Sequence, residues 1–184
     1  MNFKPWVLVA VALFSIGLVF GLSLPDSNTG ALSAETNALE QLATFINSLP
    51  PLAMFGLILL KNVTAVLFGF IMSPLFLVVP VLSLVLNGWL IGAVAGTVVA
   101  EQSVGYLLAG LLPHGVFELP ALFMGEAAAL SFGLAAMQSI AFRGKRDQLT
   151  VTLKSDLKYL GISLALFVPA ALMETFVTPL FLGR

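Results

Sequence analysis

Residues 52–72 read LAMFGLILLKNVTAVLFGFIM, a stretch whose one charge is Lys61. At about 1.5 Å of rise per residue, a helix of this length crosses the roughly 30 Å hydrocarbon core of a bilayer. Apolar residues here are continuous rather than alternating, which suits a helix and not a strand of a membrane barrel. Four more runs of the same kind follow from hydropathy, at about 5–24, 75–99, 114–141 and 158–181. With 59% hydrophobic residues, 9% charged residues and a mean hydropathy of +1.06, the chain lacks the polar side chains to cover a water-soluble globule. The expected fold is therefore all-α: one polytopic membrane bundle spanning 1–184, with the lipid bilayer as its first partner.

Charge asymmetry predicts how the bundle sits. Arg143, Lys145, Arg146, Lys154 and Lys158 crowd one connection, whereas the segment from Pro25 to Pro51 holds Asp26, Glu35 and Glu40 and no basic residue. Basic loops stay on the cytoplasmic side, so loop 143–158 and the N-terminus with Lys4 are expected inside and the C-terminus outside. A net charge of -1 gives no reason to expect nucleic acid, and the absence of cysteine excludes disulfides and thiolate metal sites. Gly21-Leu22-Ser23 resembles a signal-peptide cleavage site faintly, but the first apolar stretch is long for a signal core and reads as an uncleaved helix.

Shorter features decorate the spans. Ser33 to Thr36 precede Leu39, Leu42, Ala43, Phe45 and Ile46, an N-cap and apolar stripe that predict an interfacial helix on the outer side. Leu149, Leu153 and Leu157 interleave with Lys154 and Lys158 and predict either an interfacial helix or a solvated connector on the inner side. Residues 103–112 are apolar but too short to cross; with Pro113 after them they predict a re-entrant half-helix turning inside the bundle. Gly88, Gly92 and Gly96 recur every fourth residue, as do Gly125, Ala129 and Gly133, marking faces where helix backbones can approach closely. Whether those seams are internal or build a homo-oligomer stays open.

Ionisable residues inside lipid are costly, about 2.5 to 3.5 kcal/mol each at a helix centre on insertion scales. Counting from the cytoplasmic end of each span puts Lys61 at roughly 16 Å, Asn87 at about 18 Å, Glu126 at about 22 Å and Glu174 at about 24 Å, each to about one helical turn, so the four are expected near the midplane. Lys61 is expected to pair with Glu126, helped by Asn62 and Asn87, with Glu174 close by. Such a layer serves equally as interhelical glue or as part of a transport path. His114 and Glu118, four apart, share a helix face and predict a hydrogen bond that pins the re-entrant turn. Two ligands fall short of a zinc site, so no metal or cofactor is assigned, and no nucleophile, Walker or dinucleotide motif appears.

The run Pro113-His114-Gly115-Val116-Phe117-Glu118-Leu119-Pro120-Ala121 resembles the stage II sporulation protein M family, whose hallmark is such a stretch at the opening of a membrane helix. Asn62, Asn87 followed by Gly88 and Gly92, and the basic loop before a last span extend the resemblance over roughly 52–181. It implies a multi-span scaffold without catalysis of its own, which in spore formers anchors cell-wall hydrolases during engulfment. Membrane or cell-envelope proteins are then the expected partners. Two other classes stay open: a small transporter or channel using the polar layer, and an intramembrane metalloenzyme at His114 and Glu118.

Overall fold

A computed structural model describes residues 3–23, 49–142 and 146–183. Its helices are α1 (Lys4–Leu22), α2 (Pro51–Met72), α3 (Val78–Glu101), α4 (Val104–Ala141) and α5 (Arg146–Leu172), continued by a π-helical turn (Met173–Val177) and a last short helix α6 (Thr178–Phe181). Among the described residues five helices are long and apolar enough to cross a membrane, the last of them running on through the π turn. Proline opens α1 and α2 within their first two positions, where its missing N–H costs nothing. The outer predicted interfacial helix, residues 33–46, lies outside the described residues.

Two close pairings build the bundle: α1 with α3, and α4 with α5. Glycine makes the first possible. A Cβ on Gly17 would strike the backbone of Val85, and one on Gly21 that of Trp89; reciprocally, Gly88 meets the carbonyl of Phe14 and Gly92 that of Leu18. Residue numbers rise together along both helices, so α1 and α3 run parallel with their backbones in contact, close enough for Cα–H to approach carbonyl oxygen. Gly96 continues the same row but has nothing within 4 Å, because α1 ends at Leu22. On α4, Gly125 admits Val66 and Ser163, and Gly133 lies against the Ser73 carbonyl of the α2 terminus, 2.7 Å from where a Cβ would stand.

Aromatic contacts fill the remaining space. Phe14 meets Phe123 edge-on at 5.2 Å, Phe70 stacks on Phe132 at 4.9 Å, and Phe3 stacks on Tyr159 at 3.5 Å, tying the start of α1 to α5. Phe167, Leu84, Leu130 and Val66 are fully enclosed among them.

The structure corrects two expectations. Residues 103–112 do not form a separate re-entrant piece; they are the first turns of α4, which continues unbroken through Pro113 and Pro120. The true helix start is Ser103, extended at φ -172° and ψ 164°, whose hydroxyl oxygen accepts from the Tyr106 N–H at 3.1 Å. A proline inside a helix forfeits one backbone hydrogen bond, whereas breaking the chain at this depth would strip several groups of partners, so the helix carries its prolines. Likewise Leu149 to Lys158 is no separate element but the opening of α5, with Thr152 and Asp156 turned into the bundle. At 38 residues α4 is about 57 Å long, well over the hydrocarbon thickness. With Gly133 level with the end of α2, the antiparallel α4–α5 hairpin runs on past it by eight residues, to Ala141.

Gly88→Val should therefore lower detergent-state stability by about 1–3 kcal/mol or more, since backbone must move to admit the side chain. Gly96→Val, facing open space, should stay within about 0.5 kcal/mol. Thermal melts of the two purified variants compare them directly.

Candidate functional site

Polar side chains of the interior fall into two groups at different levels. The deeper one centres on Glu126, wholly buried on α4. The Ser83 hydroxyl on α3 donates to its Oε1 at 2.6 Å, and Gly69 on α2 leaves room for the carboxyl, whose Oε2 would lie 2.9 Å from any Cβ added there. Oε2 itself has no hydrogen-bond partner. Ser163 on α5 donates to the Ala121 carbonyl at 2.6 Å just above, a further helix-to-helix tie.

The second group gathers around the family-like run on α4. His114 Nε2 lies 3.8 Å from Glu118 Oε2, one helical turn away on the same face of α4. Asn62 on α2 donates from Nδ2 to Glu118 Oε1 at 3.3 Å. His114 Nδ1 is 3.3 Å from the Thr178 hydroxyl, which in turn donates to the Met173 carbonyl at 3.2 Å across the π turn. Glu174, inside that wider turn, brings a carboxylate oxygen within reach of both: one ligand atom each from His114, Glu118 and Glu174 lie within 4.8 Å of one another. A π turn inserts an extra residue into the helix ladder and recurs at functional sites for the way it re-aims side chains. Beside it, Leu108, Leu112, Pro113, Phe117, Met173 and Phe181 line an apolar cavity of about 450 Å³.

The expected Lys61–Glu126 pair is not formed. Lys61 is exposed, whereas its neighbour Asn62 is buried; one residue is 100° of helix rotation, which turns the ammonium away from Glu126 and the amide toward Glu118. Asn87 bends back on its own helix, donating to the Ser83 carbonyl at 2.7 Å, and takes no part in a layer. Of the predicted polar residues, then, Asn62 and Glu174 join His114 and Glu118, while Glu126 stands apart with Ser83. Pro113, Gly115 and Pro120 lie in the continuous helix rather than at a turn.

Sequence reasoning missed Ser83, Ser163 and Thr178, and also Asp156, which is buried on α5 facing the Ser131 hydroxyl. Hydroxyls cost too little in lipid to stand out, and only helical phase relative to a neighbour would have flagged them. Ser83→Ala should destabilise the protein by about 1–3 kcal/mol by leaving the Glu126 carboxyl wholly unpartnered. Ser83→Ala combined with Glu126→Leu should cost less than the sum of the two single changes, a coupling that a double-mutant cycle of melts would read.

The model of the family described as "Stage II sporulation protein M" matches residues 10–179. The uncharacterized protein MJ0793 of Methanocaldococcus jannaschii is 24% identical over 174 residues, covering 94% of this chain and 93% of that one. A second uncharacterized protein of the same organism, MJ0706, is 29% identical over 121 residues, covering 64% of this chain and 52% of the relative. No solved structure matches. The match to the family model takes in nearly every described helix, and this chain belongs to the stage II sporulation protein M family.

Proposed function

We propose that this protein is a non-catalytic membrane platform that docks partner proteins through the projecting α4–α5 hairpin. The observation that carries the reading is the hairpin tip: it extends past the end of α2 and bears exposed Met137, Ile140, Phe142 and Val151. Apolar side chains gathered on a surface that leaves the hydrocarbon core mark an interaction site. The sequence joining and opening these two helices carries Arg143, Lys145, Arg146, Lys154 and Lys158, and this basic composition supports a cytoplasmic orientation for that end, the N-terminus inside and the C-terminus outside. Below the tip, Phe3 on Tyr159 ties α1 to the hairpin, and the glycine seam ties α1 in turn to α3, as a rigid support requires. Partners of this chemistry are other membrane or envelope proteins, and the chain needs no cofactor for this role.

The transport alternative requires a polar path joining Lys61, Asn87, Glu126 and Glu174. Asn87 is spent on its own helix and Glu126 is enclosed, so the groups are not continuous, and this weighs for the platform.

A photo-reactive residue placed at Ile140 or Phe142 should form cross-links in native membranes to a discrete protein, and Phe142→Asp should remove the adduct obtained from Ile140. Lipid adducts alone at both positions, together with ion flux in proteoliposomes that Glu126→Gln abolishes, would reverse the assignment in favour of transport.

A further inference from the structure

We infer that His114, Glu118 and Glu174 form a binding site for a divalent transition-metal ion of the Zn2+ class, which clamps α4 to the π turn that follows α5. The geometry is the first argument. Three ligand atoms, one from each residue, lie within 4.8 Å of one another. Between His114 Nε2 and Glu118 Oε2 the distance is 3.8 Å, too long for an N–H···O hydrogen bond. It lies near the roughly 3.4 Å that separates two ligands held at about 2.1 Å from one tetrahedral ion. The pair is spaced for an ion between its members rather than for direct contact.

Proton placement is the second argument. Thr178 has one hydroxyl proton, and it points to the Met173 carbonyl at 3.2 Å. The tautomer of His114 that matches this arrangement carries its proton on Nδ1, 3.3 Å away, and donates it to the hydroxyl oxygen. Nε2 is left with its lone pair on the side facing Glu118, the form of imidazole that binds metal. The carboxylate is aimed in the same manner: Asn62 Nδ2 holds Glu118 Oε1 at 3.3 Å and leaves Oε2 for the site. Both α4 ligands thus have the outer hydrogen-bonding partners that metal ligands need, Asn62 of α2 and Thr178 at the start of α6.

Charge is the third. Two carboxylates set among apolar helices need neutralising, and the nearby cation is Lys61, whose side chain is exposed and long enough to carry its ammonium away along the helix surface. A doubly charged ion in the site neutralises both carboxylates at once. One imidazole with two carboxylates and no thiolate suits Zn2+ or Mn2+; the imidazole disfavours Mg2+ and Ca2+, which take all-oxygen sets. The role is structural, because the ligands come from two elements that would otherwise be joined here by the His114–Thr178 hydrogen bond.

The test uses the full chain in mild detergent, stripped with chelator and titrated with Zn2+, and separately with Co2+ as a spectroscopic probe. The expected result is one Zn2+ per chain, a rise in melting temperature, and visible Co2+ bands of a low-coordinate nitrogen and oxygen site. Glu174→Gln should lose the bands and the thermal shift while the metal-free protein still melts cooperatively, and Asn62→Ala should weaken Zn2+ binding about 10- to 100-fold as a positioning change. Should Glu174→Gln fail to fold, His114→Ala reads the same loss. Absence of stoichiometric Zn2+, a thermal shift equalled by Mg2+, or binding that survives both variants would overturn the site.

Discussion

A polar side chain buried in this bundle has to find its partner on another helix or on its own backbone, because the surrounding lipid offers none. That constraint determines which faces meet. Ser83 on α3 and Glu126 on α4 can hydrogen-bond only if the two helices stand in one rotational phase, and Asn62 with Glu118 imposes the same on α2 and α4. Lipid supplies no apolar driving force between helices, so the glycine seam must do the rest by letting backbones touch. Gly17 and Gly21 answering Gly88 and Gly92 form a contact of this kind, each set lying where the other helix leaves backbone exposed. Packing and polar pairing are thus two readings of one arrangement of helix faces.

The positions of the membrane-crossing helices were legible in the sequence because each is a long apolar run, and the seam glycines on α3 and α4 were legible because of their spacing. Their partners on α1 were not read, since Gly17 and Gly21 gain meaning only beside α3. Proline misled at Pro113: its chemistry marks a helix start in water, but in lipid an interrupted backbone costs more than one lost hydrogen bond, and α4 runs through it. The inner amphipathic stretch misled for a related reason, because Leu149, Leu153 and Leu157 continue the phase of a helix already long enough to leave the hydrocarbon.

The polar residues show what depth counting can and cannot do. Counting along each span placed Lys61 and Glu126 at similar levels, yet helix rotation separates them, sending Asn62 inward and Lys61 outward. Glu174 reached its neighbours through a π turn, a change of helical period that no residue type announces. His114 and Glu118 were found as a pair because both lie on one helix four residues apart; the third member of the group sits 56 residues further along the chain, where only tertiary structure connects it.

The two polar groups differ in how tightly they are closed, and the difference separates their roles. Glu126 is fully buried, with Ser83 on one carboxyl oxygen, Gly69 beside the other and no second donor, an arrangement suited to holding α2, α3 and α4 in phase. The His114 group is more open: the side chains of His114 and Glu118 keep 14% and 26% of their surface exposed, and the hydrogen bonds to these two come from the atoms turned away from each other. Oriented side chains with unused ligand atoms facing one another are a poor way to glue helices, because each unmet atom forgoes a bond that a simpler pair would make. They are a suitable way to receive an ion, and an ion there would stiffen the same α4–α5 hairpin whose far end carries the exposed apolar tip.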